Sequence, residues 1–221
     1  MSLVSDPHPV SSFDISQRKR KTKAPCQICF LHQNLCICSL IPSIKVKTKI
    51  SLIIHAKELK RTTNTGRLAI KALQNSEMRV RGLSKTTLDL TDLLKDEYET
   101  FLFYPADSAV VLDQKFLEKI AKPIQLIVPD GNWRQASKVH YRHHELKHIQ
   151  RVTIKAPTTT KLFMRAEIKE EGMATLEAIA YALGVIEGEA VQNQILNLYE
   201  AKLKRTLFGR GQLQADDIKI S

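Results

Sequence analysis

The sequence predicts an α/β fold in which a mostly parallel sheet carries helices on both faces. Short apolar runs that are typical of buried strands alternate along the chain with segments of helical spacing. Such alternation indicates a parallel sheet, because the helix that connects two parallel strands packs on one face of that sheet. The length of 221 residues and the hydrophobic content of 43% allow one large domain, or one domain with a small appendage.

The chain begins with a polar segment, residues 1–25, which we predict to be a flexible tail. It contains closely spaced cations, namely Arg18, Lys19, Arg20, Lys21 and Lys23. These charges either contact phosphates or are solvated.

All four cysteines fall within thirteen residues, in the pattern Cys26-x2-Cys29-x6-Cys36-x-Cys38. A reducing compartment disfavours disulfides, whereas four neighbouring thiolates can enclose one tetrahedral Zn²⁺ with no position open to water. We therefore predict structural zinc. A redox pair, an iron–sulfur cluster and a cluster without metal are the alternatives, and His32 in the same loop is predicted to be a bystander.

The first strand is predicted at Ile50–Ile54 and ends at His55. A polar loop then leads into a helix from about Arg67, for which Asn64 or Thr65 is a plausible N-cap. The threonine, glycine and arginine at this helix start can also hold an anion or a carboxylate. Capping and ligand binding are therefore both open.

The remaining elements are predicted from short apolar runs and from helical spacing. They are strands at 86–88, 101–104, 109–112 and 152–154, and helices at 116–121, 172–187 and 190–207.

The most informative stretch is a buried strand followed directly by a helix. The apolar run Ile124–Val128 ends just before Asp130, and helical spacing begins at Trp133, the only tryptophan. In an open α/β sheet, ligands bind at the carboxyl ends of the strands. We therefore predict Asp130, Asn132 and Trp133 as candidate catalytic residues. The alternative is that Asp130 or Asn132 caps the helix while Trp133 packs in the core.

The helix after Trp133 combines cations with histidines, namely Arg134, Lys138, His140, Arg142, His143, His144, Lys147 and His148. The histidines have helical spacing that would suit a metal, but cations interrupt them and Glu145 is the only carboxylate nearby. The pattern favours a basic face for RNA phosphate or a solvated surface over a metal site.

The net charge of +11 indicates a polyanionic partner, because neutralising phosphates releases counterions. A solvated basic surface is the alternative. The low aromatic content of 6% argues against a platform that stacks single-stranded bases. An enzyme that acts on folded nucleic acid, or a protein that recognises its shape, fits the composition better.

Several classes of protein are excluded. No run approaches the roughly 18 apolar residues of a membrane span, and no apolar segment follows the N-terminal charges as it would in a secretory signal. The chain lacks GxGxxG and P-loop motifs, which argues against a Rossmann dinucleotide site and an NTPase. We expect a soluble, cytoplasmic protein with no membrane contact and no obligate protein partner.

Four stretches in the same order resemble the DTW-domain proteins. They are the cysteine cluster and the segments 55–69, 130–138 and 174–178. The resemblance spans roughly residues 26–205.

Two positions depart from the family's pattern. The family signature has the form Asp-x-Thr-Trp, and Asn132 takes the place of its threonine, although an amide can still donate and accept. Ala174 stands where a serine or threonine is often found before Thr175.

The resemblance implies a tRNA-uridine aminocarboxypropyltransferase that uses S-adenosylmethionine and modifies N3 of uridine. It also implies kinship with SPOUT-type RNA methyltransferases, whose C-terminal part is a knotted α/β fold that holds the cofactor. A methyltransferase on the same scaffold, a transferase acting on ribosomal RNA, and a non-enzymatic zinc RNA-binding protein are the competing functions.

The resemblance also implies roles for individual residues. Asp130 is a candidate general base or a group that orients the uracil edge, Trp133 stacks on a base or on adenine or walls the pocket, and Asn132 joins them as catalytic. The implied cofactor-binding residues are Asn64, Thr65, Arg67, Pro129, Gly131, Ala174, Thr175 and Glu177. The implied RNA-binding residues are His55, Glu58, Arg61, Arg134, Lys138 and Arg165.

Some of these roles have alternatives. An arginine, namely Arg61, Arg67 or Arg165, would clamp the cofactor carboxylate or bind phosphate. For His55, a structural hydrogen bond to the following loop is an equal alternative to a place in the pocket. The predicted domains are the tail 1–25, a four-cysteine zinc module 26–45 and a catalytic domain 46–221, with the zinc module and the basic tails holding the tRNA body.

Overall fold

The computed structural model describes residues 25–83, 88–155 and 173–218. Its strands are β1 Lys49–His55, β2 Ser76–Arg81, β3 Glu99–Phe103, β4 Val110–Val111, β5 Ile124–Asp130 and β6 Arg151–Thr153. Its α-helices are α1 Gly66–Ala72, α2 Gln114–Leu117, α3 Trp133–Arg142, α4 Thr175–Glu187 and α5 Glu189–Phe208.

The six strands form one sheet in the order β2-β1-β5-β3-β6-β4, and every neighbouring pair is parallel. The prediction of a mostly parallel sheet is confirmed. The interior strands β1 and β5 are almost entirely buried, as expected for strands that are covered on both faces. In the register, Ile54 of β1 lies between Val80 of β2 and Asp130 of β5.

Alternate residues of β1, β3 and β5 belong to two separate cores, which confirms that both faces are covered. Leu52 and Leu126 pack with α1, α4 and α5 in the larger core. Ile53 and Ile127 point the other way and pack with Val139 of α3. This period of two places Asp130, which shares the parity of Leu126, on the face of α1 and α4.

Some predicted elements differ from the structure. Strand β2 was missed, because its sequence SEMRVR carries charges at alternate positions and lies half-buried at one edge of the sheet. The predicted helix 116–121 is wrong in its bounds, since Asp113 accepts a hydrogen bond from the backbone N–H of Phe116 and starts α2 at Gln114. Residues 86 and 87 of the predicted strand 86–88 lie outside the described residues, and Leu88 is not in a strand.

The cysteine segment shares the larger core with the sheet, because Leu31 and Leu35 pack in the same cluster as the residues of β1 and α5. The predicted boundary between a zinc module and a catalytic domain stays a prediction. So does the knot, because residues 156–172, which connect β6 to α4, lie outside the described ranges. None of the described helices is both long and apolar enough to cross a bilayer.

Candidate functional site

The carboxylate of Asp130 joins three segments at the carboxyl end of β5. It is only 5% exposed. The side-chain amide of Asn64 donates a hydrogen bond to Oδ2 at 2.5 Å, and the hydroxyl of Thr175 donates one to Oδ1 at 2.6 Å. Hydrogen bonds to a charged acceptor are the strong ones in proteins. Both oxygens of the carboxylate are therefore engaged by the loop after β1 and by the start of α4.

The parallel sheet explains why these residues meet. Strand β1 lies beside β5, so the loop that leaves β1 reaches the carboxyl end of β5. The hydroxyl of Thr65 accepts a hydrogen bond from the backbone N–H of Leu176 at 3.2 Å, which ties the starts of α1 and α4 together. A Cβ at Gly66 would lie 2.9 Å from Oδ2 of Asp130, so only glycine allows this close approach.

Asn132 caps helix α3. Its Oδ1 accepts a hydrogen bond from the backbone N–H of Gln135, and Oε1 of Gln135 accepts one from the backbone N–H of Asn132, both at 2.9 Å. This reciprocal pair is a capping box. The capping alternative for Asn132 is therefore present in the structure. It also gives a physical reason why asparagine can replace the family's threonine, since both are good N-caps.

The side chain of Arg67 is directed at the cysteine segment. Its Nη1 donates to the carbonyl of Leu59 at 2.6 Å, and its guanidinium lies 3.6 Å from the centroid of the Phe30 ring. Burial lowers the pKa of Arg67, while the charges of Asp130 and Cys29 oppose that shift. Arg67 thus connects the loop that carries Asn64 to the cysteine segment.

Glu58 and Arg61 form an ion pair at 3.2 Å, in which the carboxylate is fully buried and the guanidinium is about half-exposed. Nδ1 of His55 accepts a hydrogen bond from the backbone N–H of Lys57 at 3.2 Å. The structural hydrogen bond that was the alternative for His55 is present, and a place for His55 in the pocket stays a prediction.

Glu177 points into the protein. It is 4% exposed, and its Oε2 accepts a hydrogen bond from the backbone N–H of Ala174 at 3.4 Å. Because alanine has no side-chain acceptor, this is half of a capping box. Burial raises the pKa of Tyr199, and the charge and hydrogen bond of Glu177 add to the effect. Glu177 therefore supports the start of α4 from inside.

The other predicted site residues do not join this network. Pro129 is buried within β5 and Gly131 is half-buried in the turn that follows. Arg134 and Lys138 are exposed on α3. Arg165 and the side chain of Trp133 lie outside what the structure describes.

The four cysteine Sγ atoms all lie within 4.8 Å of one another, and none is in a disulfide. The separations are 3.5 Å for Cys26–Cys38, 3.6 Å for Cys26–Cys36 and 3.7 Å for Cys29–Cys36. Four sulfurs that surround Zn²⁺ at about 2.3 Å would be about 3.8 Å apart. The cluster could hold a metal ion, and its donors and geometry are compatible with zinc.

His32 and the histidines after Trp133 do not take part in a metal-binding group. Nδ1 of His32 accepts a hydrogen bond from the backbone N–H of Asn34 at 3.2 Å. Across the described ranges, the cysteine cluster is the one group of three or more His, Cys, Asp or Glu side chains with metal-binding proximity.

Buried positive charge lies next to the cysteines. Lys202 of α5 is fully buried, and its ammonium donates to the carbonyl of Cys29 at 2.6 Å. Burial lowers the pKa of Lys202 to about 8, and the nearby thiolates oppose the shift. Burial opposes ionisation of Cys26, but hydrogen bonds from the backbone of Cys29 and Ile28 lower its pKa to about 6. Lys202 and Arg67 are thus placed to offset the charge of a thiolate cluster.

A cavity of about 330 Å³ lies elsewhere, beside α4 and α5, and is lined by residues that include Asp113, Lys155, Tyr181 and Gln192. None of the predicted site residues lines it. We take the hydrogen-bond network at Asp130 as the candidate site, because it brings predicted residues together. The cavity is lined by other residues.

Sequence reasoning missed Phe30 and Lys202, and it missed the close approach of Gly66 to Asp130. Gly66 lies in the stretch that carries the family resemblance, so its position was visible although its role was not. Phe30 and Lys202 show no comparable signal, because their contacts depend on the packing of the cysteine segment against α1 and α5.

The family model for the DTW domain matches residues 23–207. Two mammalian proteins named tRNA-uridine aminocarboxypropyltransferase 2 are similar to the chain. The protein from Macaca fascicularis is 24% identical over 187 residues, which are 82% of this chain and 63% of the relative. The protein from Mus musculus is 25% identical over 183 residues, which are 80% of this chain and 61% of the relative.

A Drosophila melanogaster protein of the same name is 27% identical over 192 residues, which are 84% of this chain and 74% of the relative. The chain spans about three-fifths of the length of the two mammalian relatives. No solved structure matches the chain at significant similarity.

The hydrogen bond from Thr175 can be tested with two variants of nearly the same size. Thr175→Val removes the donor and leaves one oxygen of a buried carboxylate without it, so we expect a loss of about 1–3 kcal/mol in the free energy of unfolding. Thr175→Ser keeps the hydroxyl and should lose less than half of that. Urea denaturation with an unchanged m-value measures both, and equal losses for the two variants would contradict the role of this hydrogen bond.

The cysteine cluster predicts one bound zinc ion per chain. Cys36→Ser should abolish stoichiometric zinc, because it removes one of four ligands. His32→Ala should retain one zinc, because His32 is not a ligand. Elemental analysis of the purified variants measures the content, and retention of zinc by Cys36→Ser or its loss in His32→Ala would refute the ligand set.

Proposed function

Because the chain belongs to the DTW-domain family, we propose that it transfers the 3-amino-3-carboxypropyl group of S-adenosylmethionine to N3 of a uridine in tRNA. A bond forms between N3 and the γ-carbon of the methionine portion, and the bond from that carbon to sulfur breaks. The N3 proton is released, and methylthioadenosine leaves. The names of the three relatives and the net charge of +11 support an RNA substrate.

The observation that carries the proposal is the network at Asp130, where three of the predicted residues meet at the carboxyl end of a central strand. Ligands of open α/β sheets bind at that position. The network lies within the stretch matched by the family model.

Bound S-adenosylmethionine supplies a good leaving group in its sulfonium, so the protein's main contribution is orientation. Correct positioning lowers the activation free energy by up to about 7–11 kcal/mol in the best intramolecular reactions. Amide and hydroxyl groups of Asn64, Thr65 and Thr175 come together at the turn that contains Gly131. Because the side-chain amide of Asn64 and the hydroxyl of Thr175 already donate to Asp130, we assign these four residues to shape the cofactor site rather than to supply its side-chain donors.

We assign Asp130 a positioning role in preference to that of general base. Its burial and its two short hydrogen bonds leave it poorly placed to reach a proton on uridine, whereas a base must lie within hydrogen-bond distance of that proton. The carboxylate instead fixes Asn64 and Thr175 and orients the turn that presents Asn132 and Trp133. We assign a supporting role to the residues that lie around this network, namely Arg67, Glu177, Ala174 and Pro129.

The remaining residues are assigned to RNA. Arg134 and Lys138, which are exposed on α3, would contact phosphates. Arg61 and Arg165 would contact the target nucleotide, and His55 would contact the RNA nearby. Glu58 is fully buried and would orient Arg61 through their ion pair. A uridine stacked in folded tRNA has to be extruded to reach this site.

Two further features complete the proposal. We assign structural zinc to the four cysteines, with the module holding the tRNA body. We also propose a SPOUT-like knotted arrangement for the C-terminal part of the chain.

The transfer chemistry can be tested with S-adenosylmethionine labelled at either the methyl or the carboxyl carbon. We expect the carboxyl label, and not the methyl label, to be incorporated into tRNA, and nucleoside analysis to yield aminocarboxypropyluridine. Asn64→Ala should lower incorporation at least tenfold, because it removes a donor to Asp130. Asn75→Ala should not lower incorporation, because the amide of Asn75 donates to the carbonyl of Lys47 before the amino ends of β2 and β1, away from the candidate site.

Three outcomes would refute the proposal. Methyl label on tRNA would indicate a methyltransferase, incorporation into ribosomal RNA alone would indicate a different substrate, and tRNA binding without any incorporation would indicate a non-enzymatic RNA-binding protein.

A further inference from the structure

We propose that Lys57, Arg81 and Arg142 form a phosphate-binding site that holds the RNA backbone beside the candidate site, on the opposite face of the sheet from Asp130. We call these three residues, with His55 between them, the Arg81 cluster. The proposal deepens the proposed function and rests on it, because it assumes an RNA substrate.

The register of the sheet places the Arg81 cluster next to the candidate site. Arg81 ends β2 and pairs with His55, which ends β1, while the preceding Ile54 pairs with Asp130. Two strand spacings of about 4.8 Å separate the backbone of β2 from that of β5. Because successive side chains alternate between faces, His55 and Arg81 point toward α3, whereas Asp130 points toward α1 and α4.

Arg81 is a buried cation that lacks a protein counter-ion. It is 6% exposed, its Nη2 donates to the backbone carbonyl of Gln135 in α3, and its buried Nε has no partner among the residues that the structure describes. No carboxylate in the described chain forms an ion pair with Arg81 or Arg142. Burying a charge without a counter-ion is costly, so this arrangement indicates an anionic ligand.

Positive charge accumulates around Arg81. Lys57 and Arg142 are exposed, and Arg142 adds to burial in lowering the pKa of Arg81. The pKa of His55 is also lowered, first by burial and then by Arg81, Lys57 and Arg142, against an opposing effect of Glu58. Glu58 is buried and paired with Arg61, so it does not neutralise the surface.

The hydrogen bonding of His55 provides one more donor. Its Nδ1 accepts from the backbone of Lys57, so the proton of the neutral ring is assigned to Nε2. A Cβ at Gly82, where φ is +80°, would lie 2.9 Å from Nε2. Glycine at this position therefore leaves the space next to Nε2 open.

A line of exposed cations favours a polymer of phosphates over a single anion. Arg134, Lys138 and Arg142 recur every four residues on α3 and thus form one stripe of about 12 Å. The stripe starts at the turn after Asp130 and ends at the Arg81 cluster. Glu145, the one acidic residue in 131–155, is largely buried and accepts a hydrogen bond from the backbone of Leu90. Arginine is well suited to phosphate, because its planar guanidinium can donate two parallel hydrogen bonds.

The salt dependence of tRNA binding tests this site in the full-length protein. Each lost phosphate contact reduces the slope of log Kobs against log salt by about 0.7–0.9. We expect Lys57→Ala/Arg142→Ala to reduce the slope by about 1.5 and to weaken tRNA binding at least tenfold in low salt. The control, Lys119→Ala/Lys122→Ala, removes the same charge from exposed positions that precede the amino end of β5, whereas the Arg81 cluster lies at the carboxyl ends of β1 and β2, and it should leave the slope unchanged.

Equal reductions in both double variants would indicate general attraction between charged molecules and would overturn the proposal, as would an unchanged slope in Lys57→Ala/Arg142→Ala. Both exchanges are at exposed positions, so the fold remains intact for the comparison. The measurement of equilibrium tRNA binding does not require the protein to catalyse any transfer. A failure of this proposal is therefore distinguishable from a failure of the proposed function, which would show as absent carboxyl label on tRNA.

His55 provides a local readout by NMR titration. A short RNA oligonucleotide should raise the pKa of His55 in the wild-type protein, because a bound phosphate favours the charged ring. The shift should be smaller in Lys57→Ala/Arg142→Ala. A pKa of His55 that does not respond to RNA would also overturn the proposal.

Discussion

The hydrogen bonds that converge on the carboxylate of Asp130 determine how the rest of the candidate site is arranged. Asn64 comes from the loop after β1 and Thr175 from the start of α4, and each donates to a different oxygen. A carboxylate whose two oxygens both accept hydrogen bonds is held in one orientation. It also fixes the relative positions of two helix starts and one strand end, so a small displacement of any of them affects all three.

The cysteine segment is connected to this network through buried cations. The guanidinium of Arg67 stacks on Phe30 and donates to Leu59, while Lys202 donates to the carbonyl of Cys29. A four-thiolate metal site carries net negative charge, and these cations are placed to balance it. The cysteine segment is therefore packed against the loop that supplies Asn64, so a metal ion bound by the cysteines would influence the geometry of the site directly.

The sequence reveals those parts of the molecule that depend on local spacing. The apolar run before Asp130, the helix that follows it and the four clustered cysteines are all visible as short patterns. The meeting of Asn64, Asp130 and Thr175 is not, because the donors lie 66 and 45 residues from the carboxylate and are joined by the strand order. Strand β2 and its terminal Arg81 were missed for a related reason, since an edge strand with alternating charges lacks the continuous apolar run of an interior strand.

A double-mutant cycle between Asn64→Ala and Asp130→Ala tests the central claim most directly. If the amide of Asn64 acts through the carboxylate, removing it in the Asp130→Ala background should cost little further free energy of unfolding. The interaction energy of the cycle should then be about 1–3 kcal/mol. Additive effects of the two substitutions, within about 0.5 kcal/mol, would contradict the claim that Asp130 organises the site through this hydrogen bond.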